Sequence, residues 1–389
     1  METNIVYLIF ITLGVFIVPF ISPLVRLPVA VGELLFGAVL ALFLKGKLTG
    51  EDLQILGFLS FLGFSLLMFI AGLEIDWNKL EDLSPREKLT IGGVVITNFV
   101  AAGVLTFSLR LPPEFVLILG AFGIGLMITV LQELKIDPKL RQILVITGSV
   151  GEIMTLLLLT GYDIFLTFGL SKSLFLHLGL IALFGTLFVL LLKILKFLVW
   201  LYPRELASLV RSENKAAIDI RASFALMLLF MSFTSLVHIE PILGAFIAGT
   251  LLGFVFRDRK PLEEKLAAFG YGFLIPFFFV QVGFEFDLHS LDDLKLLKTA
   301  AVFGVLLFLV KFVSSLWFKV LGFRFKDILL GAFLFSFPFT ILIALGKILY
   351  EKGIWKEELF TFTVLLTVLT GVVYPFFIKL LFKNLKETL

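Results

Sequence analysis

Two ionisable residues stand where ionisation is expensive. Glu152 lies in an apolar run from about Leu140 to Thr167, inside the stretch Gly-Ser-Val-Gly-Glu-Ile-Met-Thr-Leu-Leu that begins at Gly148. Lys311 lies in another run, from about Thr299 to Val320. Each is about 12 residues into its run, which at a rise of about 1.5 Å per residue is near the middle of a bilayer. A carboxylate at that depth can hold a proton or a cation, but hardly both. Desolvation favours its neutral form and a nearby cation favours its charged one. Such competition is the minimal chemistry for trading a cation against a proton. An ammonium beside it can tune the site, occupy it when empty, or release its own proton. The alternative is a structural Glu152–Lys311 pair that binds two helices together. Hydroxyls at Ser149, Thr129, Thr340 and Thr363 could add neutral ligands, although each alone reads more readily as a packing hydroxyl. Glu33 and Gln281 read as packing or interface residues. His177, His238 and His289 lie at the ends of apolar runs and form no metal-ligand spacing.

The elements that must position these groups are membrane helices. The 389-residue chain is 59% hydrophobic with a net charge of +3 and no cysteine, and its mean hydropathy is +1.08. Disulfides and thiolate metal sites are excluded. Apolar runs of membrane-spanning length recur throughout, so the expected class is an all-α polytopic membrane protein of about 13 transmembrane helices. The predicted spans are 4–22, 28–45, 53–75, 89–109, 114–134, 140–167, 173–201, 218–237, 240–256, 267–286, 299–320, 327–349 and 356–382. The first lacks a basic leader and a cleavage site and reads as a retained helix. Lys and Arg concentrate in the odd-numbered loops, such as Lys135, Lys139 and Arg141 after the fifth span. The positive-inside rule then places the C-terminus in the cytoplasm and the N-terminus outside. There is no phosphate loop, nucleotide motif or nucleophile–base pattern. No enzyme activity, ATP-driven pumping, cofactor or nucleic-acid partner is therefore expected.

The chain repeats itself. Leu-Gly-Ala-Phe-Gly-Ile-Gly-Leu-Met-Ile-Thr from Leu119 resembles Leu-Gly-Ala-Phe-Leu-Phe-Ser-Phe-Pro-Phe-Thr from Leu330, at an offset of 211. Gly-Leu-Glu-Ile-Asp from Gly72 resembles Gly-Phe-Glu-Phe-Asp from Gly283 at the same offset. The pair Gly32 and Gly37 resembles Gly244 and Gly249 at 212. The shift carries each span onto the one seven places later. Seven is odd, so the second copy must be inverted in the membrane, an arrangement typical of secondary transporters. Residues 1–168 form the first repeat, 169–217 a connector helix and loop, and 218–389 the second repeat, within one transmembrane domain. The fifth and twelfth spans are the expected interrupted helices. Gly120, Gly123 and Gly125 lie in one, and Pro338, which has no backbone donor, lies in the other.

These motifs carry a family resemblance. Leu-Pro-Val-Ala-Val-Gly-Glu-Leu-Leu-Phe-Gly from Leu27 and Leu-Leu-Met-Phe-Ile-Ala-Gly-Leu-Glu-Ile-Asp from Leu66 resemble second- and third-span signatures of the monovalent cation:proton antiporter-2 family. Gly-Ala-Phe-Ile-Ala-Gly-Thr from Gly244 and Pro-Phe-Phe-Phe-Val-Gln-Val-Gly-Phe-Glu from Pro276 resemble its ninth and tenth. That family holds bacterial sodium/proton antiporters and Kef-type potassium efflux proteins. The resemblance covers nearly the whole chain. It implies two crossed interrupted helices, a homodimer, elevator-type movement of spans 4–6 and 11–13, and residence in a prokaryotic inner membrane. It also implies Glu152 as ion carrier and Lys311 as its companion, with Na+ or Li+, or alternatively K+, exchanged for H+. No Kef-type nucleotide-binding domain is expected. The chain departs from the family where a second carboxylate or asparagine often precedes the carrier. Gly151 stands there, which leaves Lys311 free to turn to Glu152. The other readings are an inverted-repeat carrier of a small organic anion, and a membrane sensor or scaffold that transports nothing.

Overall fold

A computed structural model of the chain describes residues 2–24, 27–44, 46–74, 82–172, 217–236, 241–255, 260–286 and 292–382, residue 288, and scattered positions from 174 to 197. Most of the predicted seventh span and the loop after it lie outside the described residues. Among the described residues all regular structure is helical. In chain order the helices are α1 (Glu2–Leu24), α2 (Val29–Leu44), α3 (Gly50–Leu73), α4 (Pro85–Ser108), α5 (Phe115–Gly120), α6 (Gly125–Glu133), α7 (Pro138–Phe168) and α8 (Ile218–Leu236). They continue with α9 (Pro241–Val255), α10 (Lys260–Phe269), α11 (Ile275–Glu285), α12 (Leu294–Ser315), α13 (Phe325–Phe335), α14 (Phe339–Glu351) and α15 (Glu357–Phe382).

Local chemistry sets the helix ends. Ser84 opens α4 with a reciprocal cap. Its N–H donates to Glu87 Oε2 at 2.7 Å, and its Oγ accepts from the Glu87 N–H at 3.3 Å. Pro85 follows, where a missing N–H costs nothing. Asp293 Oδ1 accepts from the N–H groups of Lys295 and Leu296 at the start of α12. Among the described residues, eight helical segments are long and apolar enough to cross a membrane. The shorter apolar stretches Ile11–Ser22, Val29–Leu44, Phe115–Ile128 and Pro241–Phe254 supply further candidates. Burial ranks them. The segment Phe325–Glu351 is 89% buried over its most apolar window, whereas Ile218–Leu236 is 28% buried. An interrupted helix therefore occupies protein interior, and α8 turns an apolar face outward, as a lipid-facing helix does.

The chain divides into two compact units, one of Met1–Thr49, Asp82–Leu159 and Phe279–Leu389, the other of Gly50–Glu81 and Thr160–Phe278. In the first, α2 lies against α11 so closely that a Cβ at Gly37 would strike the Val280 carbonyl, and one at Gly283 would strike the Leu34 carbonyl. In the second, α3 lies against α9 in the same way: Gly249 meets the Phe69 carbonyl and Gly72 meets that of Phe246. The repeat offsets carry one set of contacts onto the other. Gly37 becomes Gly249, Gly283 answers to Gly72, Leu34 becomes Phe246 and Val280 answers to Phe69. Each packing thus pairs one helix from either half of the sequence, and the repeat makes the two equivalent backbone-to-backbone contacts of the kind that small residues permit between membrane helices.

Candidate ion site

The fifth span is two half-helices. α5 ends at Gly120, the chain turns extended at Ala121 (φ −53°, ψ 136°), and α6 starts at Gly125. Interrupting a buried helix orphans backbone donors and acceptors, and each needs a partner where water is scarce. The Phe122 N–H donates to Thr155 Oγ1 at 3.1 Å. The Ile124 N–H donates to Glu152 Oε2 at 3.1 Å. The Gly120 carbonyl accepts from Asn98 Nδ2 at 2.7 Å and from Lys311 Nζ at 3.0 Å. Opposite charges thus meet opposite ends. The carboxylate faces the amino end of α6 and the ammonium faces the carbonyl end of α5, each favourable to the local peptide dipoles.

The twelfth span breaks as well. α13 stops at Phe335, and α14 begins at Phe339 after Ser336, Phe337 and Pro338. The two breaks meet. A Cβ at Gly123 would lie 3.1 Å from Pro338 Cα and 3.3 Å from its carbonyl carbon, and one at Gly125 would lie 3.8 Å from the Thr340 methyl. Gly123 therefore stands at the crossing because only a hydrogen fits there without displacing backbone. Gly125, expected within the break, is instead the first residue of α6. The breaks are also not at matching repeat positions: residues 121–124 correspond to 332–335, which are still helical in α13.

Glu152 has no solvent exposure. One oxygen holds the Ile124 amide, while Oε1 is buried with no hydrogen-bond partner among the described residues. A carboxylate with one oxygen committed and one open is what a proton or a small cation could complete. Lys311 is equally buried, but it does not turn to Glu152. It donates to Asn98 Oδ1 at 2.9 Å and to Gly120 O, and its Nζ stands 4.0 Å from the centre of the Phe122 ring. This corrects both the expectation that Lys311 would seek Glu152 and the alternative of a structural Glu–Lys pair. Gly151 is the physical reason. With no side chain there, the Phe122 ring fills the space, and a Cβ at 151 would collide with it. The ring offers the ammonium a π face in place of a carboxylate.

The expected hydroxyls fare unevenly. Ser149 Oγ donates back to the Val145 carbonyl at 3.0 Å and Thr363 Oγ1 to that of Leu359 at 2.8 Å, so both serve their own helices. Thr363 also packs against Gly346. Thr340 sits in the first turn of α14 at the crossing. Thr129 lies in α6, but its side chain is outside the described residues. Three participants escaped the sequence reading: Asn98, Thr155 and Phe122. Asn98 did leave a signal, as a carboxamide near the middle of an apolar span. Thr155 is one helical turn after Glu152 on the same face. Phe122, among 47 phenylalanines, left none.

Residues 10–384 match the family described as sodium/hydrogen exchanger, transmembrane. A Bacillus subtilis relative named for sodium/proton antiport is 27% identical over 95% of this chain, and the chain spans 62% of that protein's length. A Methanocaldococcus jannaschii relative named for the same exchange is 26% identical over 97% of this chain and 96% of its own. The solved structure of a sodium/proton antiporter from that archaeon, at pH 8, superposes with a TM-score of 0.68 over 100% of this chain and 99% of its own, at 16% identity. The likeness shows the fold: an all-helical membrane protein with an inverted repeat and two crossed interrupted helices.

Proposed function

We propose that this chain, which belongs to the sodium/hydrogen exchanger transmembrane family, exchanges a monovalent cation for protons by competition at Glu152. The family is one of transporters rather than enzymes, and the chain is an integral membrane protein. The observation that carries the reading is the open, buried Oε1 of Glu152 beside the crossing of two broken helices. Held by the Ile124 amide, Glu152 keeps one orientation whether its other oxygen carries a proton or faces a cation. Filling the site with one species excludes the other, and that exclusion couples the two fluxes. Lys311 in this reading secures the end of α5. Its bonds to Asn98 and Gly120 leave it apart from the exchange.

The names of the relatives favour sodium, with lithium as its close analogue. Potassium is the alternative. Access alternates, we propose, by an elevator-type shift of the broken-helix bundle, in a homodimer in a prokaryotic inner membrane with the N-terminus outside. The finer placement in the antiporter-2 group rests on motif resemblance alone. The family match stops at the exchanger family as a whole.

The test is exchange in proteoliposomes under an imposed pH gradient, read by a pH-sensitive dye, with Na+, Li+ and K+ added in turn. Proton movement evoked by one of these ions in the wild type, and reduced to the level of empty vesicles in Glu152→Gln, is the expected result. A monodisperse wild type that answers none of the three would overturn the proposal.

A further inference from the structure

We infer that Glu285 and Lys347 form a latch that ties the second interrupted helix to α11 at the end remote from the crossing, and that the latch opens when the broken helices move.

α11 and α14 have different attachments. α11 is seated on α2 through the glycine contacts of Gly37 and Gly283, where backbone meets backbone and sliding would bring Cβ atoms into carbonyl oxygens. α14 is seated elsewhere. Its first turn joins the crossing through Pro338 and Thr340, and a Cβ at Gly346 would lie 3.1 Å from the Thr363 methyl of α15. Between α11 and α14 the contacts are made by side chains. The Phe279 and Phe339 rings meet at 5.6 Å near the crossing. Towards the other end, Lys347 Nζ reaches Glu285 Oε1 at 3.3 Å. Rings can slide over each other, whereas an ion pair must be either made or broken.

Three further features suit the pair to opening. Lys347 is 13% exposed and Glu285 28%, so water can take over when they separate, unlike at Lys311. Lys347 also has a second acceptor on its own helix, Glu351 Oε1 at 3.8 Å. On release the ammonium passes to that partner and is not stranded. Gln281 holds Glu285 in place through Nε2 at 2.8 Å, which leaves Gln281 Oε1 buried without a partner. The closed latch thus carries an unsatisfied acceptor that limits its strength.

The inference rests on the proposed movement of the broken helices and, for its flux measurement, on the exchange reading, and the absence of cysteine in the chain permits a second readout. In one arm, Glu285→Cys and Lys347→Cys are combined and bridged by a short, reducible bifunctional thiol reagent in proteoliposomes. Bridging should stop exchange, and reduction should restore it. Exchange at an unchanged rate in fully bridged protein would overturn the latch. In the other arm, Thr340→Cys reports on the crossing through its labelling rate with a water-soluble maleimide. Glu285→Gln and Lys347→Gln should each raise that rate several-fold, and the swap of Glu285→Lys with Lys347→Glu should return it towards the original. Labelling rates that ignore all three variants would sink the inference. If labelling responds but no variant exchanges ions, the latch stands and the exchange reading fails.

Discussion

Replacing Asn98 by leucine should cost about 2–4 kcal/mol of stability, because one amide serves both sides of the break. Asn98 has no solvent exposure. Its Nδ2 donates to the Gly120 carbonyl at 2.7 Å, and its Oδ1 accepts from Lys311 at 2.9 Å. A neutral amide bond contributes about 0.5–1.5 kcal/mol net, and a bond to a charged group about 1.5–3 kcal/mol. Leucine preserves the bulk but leaves the ammonium with one carbonyl and a ring face. Lys311→Met alone should cost about 1–3 kcal/mol, since it strands the Asn98 oxygen. Combining the two strands the Gly120 carbonyl in place of the Asn98 oxygen, so the double variant still leaves one buried acceptor unmet and should be no worse than the poorer single one, a coupling of at least about 1 kcal/mol. Denaturant unfolding in mixed micelles, followed by tryptophan fluorescence, gives all three values. Penalties that simply add to within about 0.3–0.5 kcal/mol would refute the reasoning, because they would mean that Asn98 and Lys311 do not depend on each other.

Other outcomes follow from the same geometry. Gly151→Ala should destabilise by about 1–3 kcal/mol through collision with the Phe122 ring, and Phe122→Leu in the same chain should recover part of the loss in the same unfolding assay. Thr155→Val should cost about 1–3 kcal/mol by stranding the Phe122 amide, whereas Thr155→Ser, which keeps the hydroxyl, should cost less than half as much. With Glu152 the one carboxylate bonded at the break among the described residues and Lys311 engaged elsewhere, exchange should run one proton per cation. Initial rates in proteoliposomes should then be indifferent to an imposed membrane potential. Rates that change several-fold with its sign would show that Lys311 shares in the transport.

Much of this was legible in the chain. Hydropathy announced the helices because a bilayer demands long apolar segments whose hydrogen bonds close within themselves. The repeat offsets marked the glycines that the paired packings use, since Gly37 recurs as Gly249 and Gly72 as Gly283. The break at Pro338 was written locally: proline donates no bond and disfavours helix in the residue before it. Glu152 and Lys311 stood out because charge at that depth is rare.

The rest belonged to tertiary structure. The first break has no proline, and glycines only permit it. Its position at residues 121–124 depends on Thr155 and Glu152 being present to take the freed amides. The partner of Lys311 was beyond sequence reading for a related reason. Asn98 is 213 residues away in the chain and Gly120 is 191. Which acceptor meets the ammonium is settled by how α4, α5 and α12 pack, and by a phenyl ring that fills the space beside Gly151. Local chemistry in the sequence determined which groups must find partners in the membrane, and only the packing of distant helices decided which partners they found.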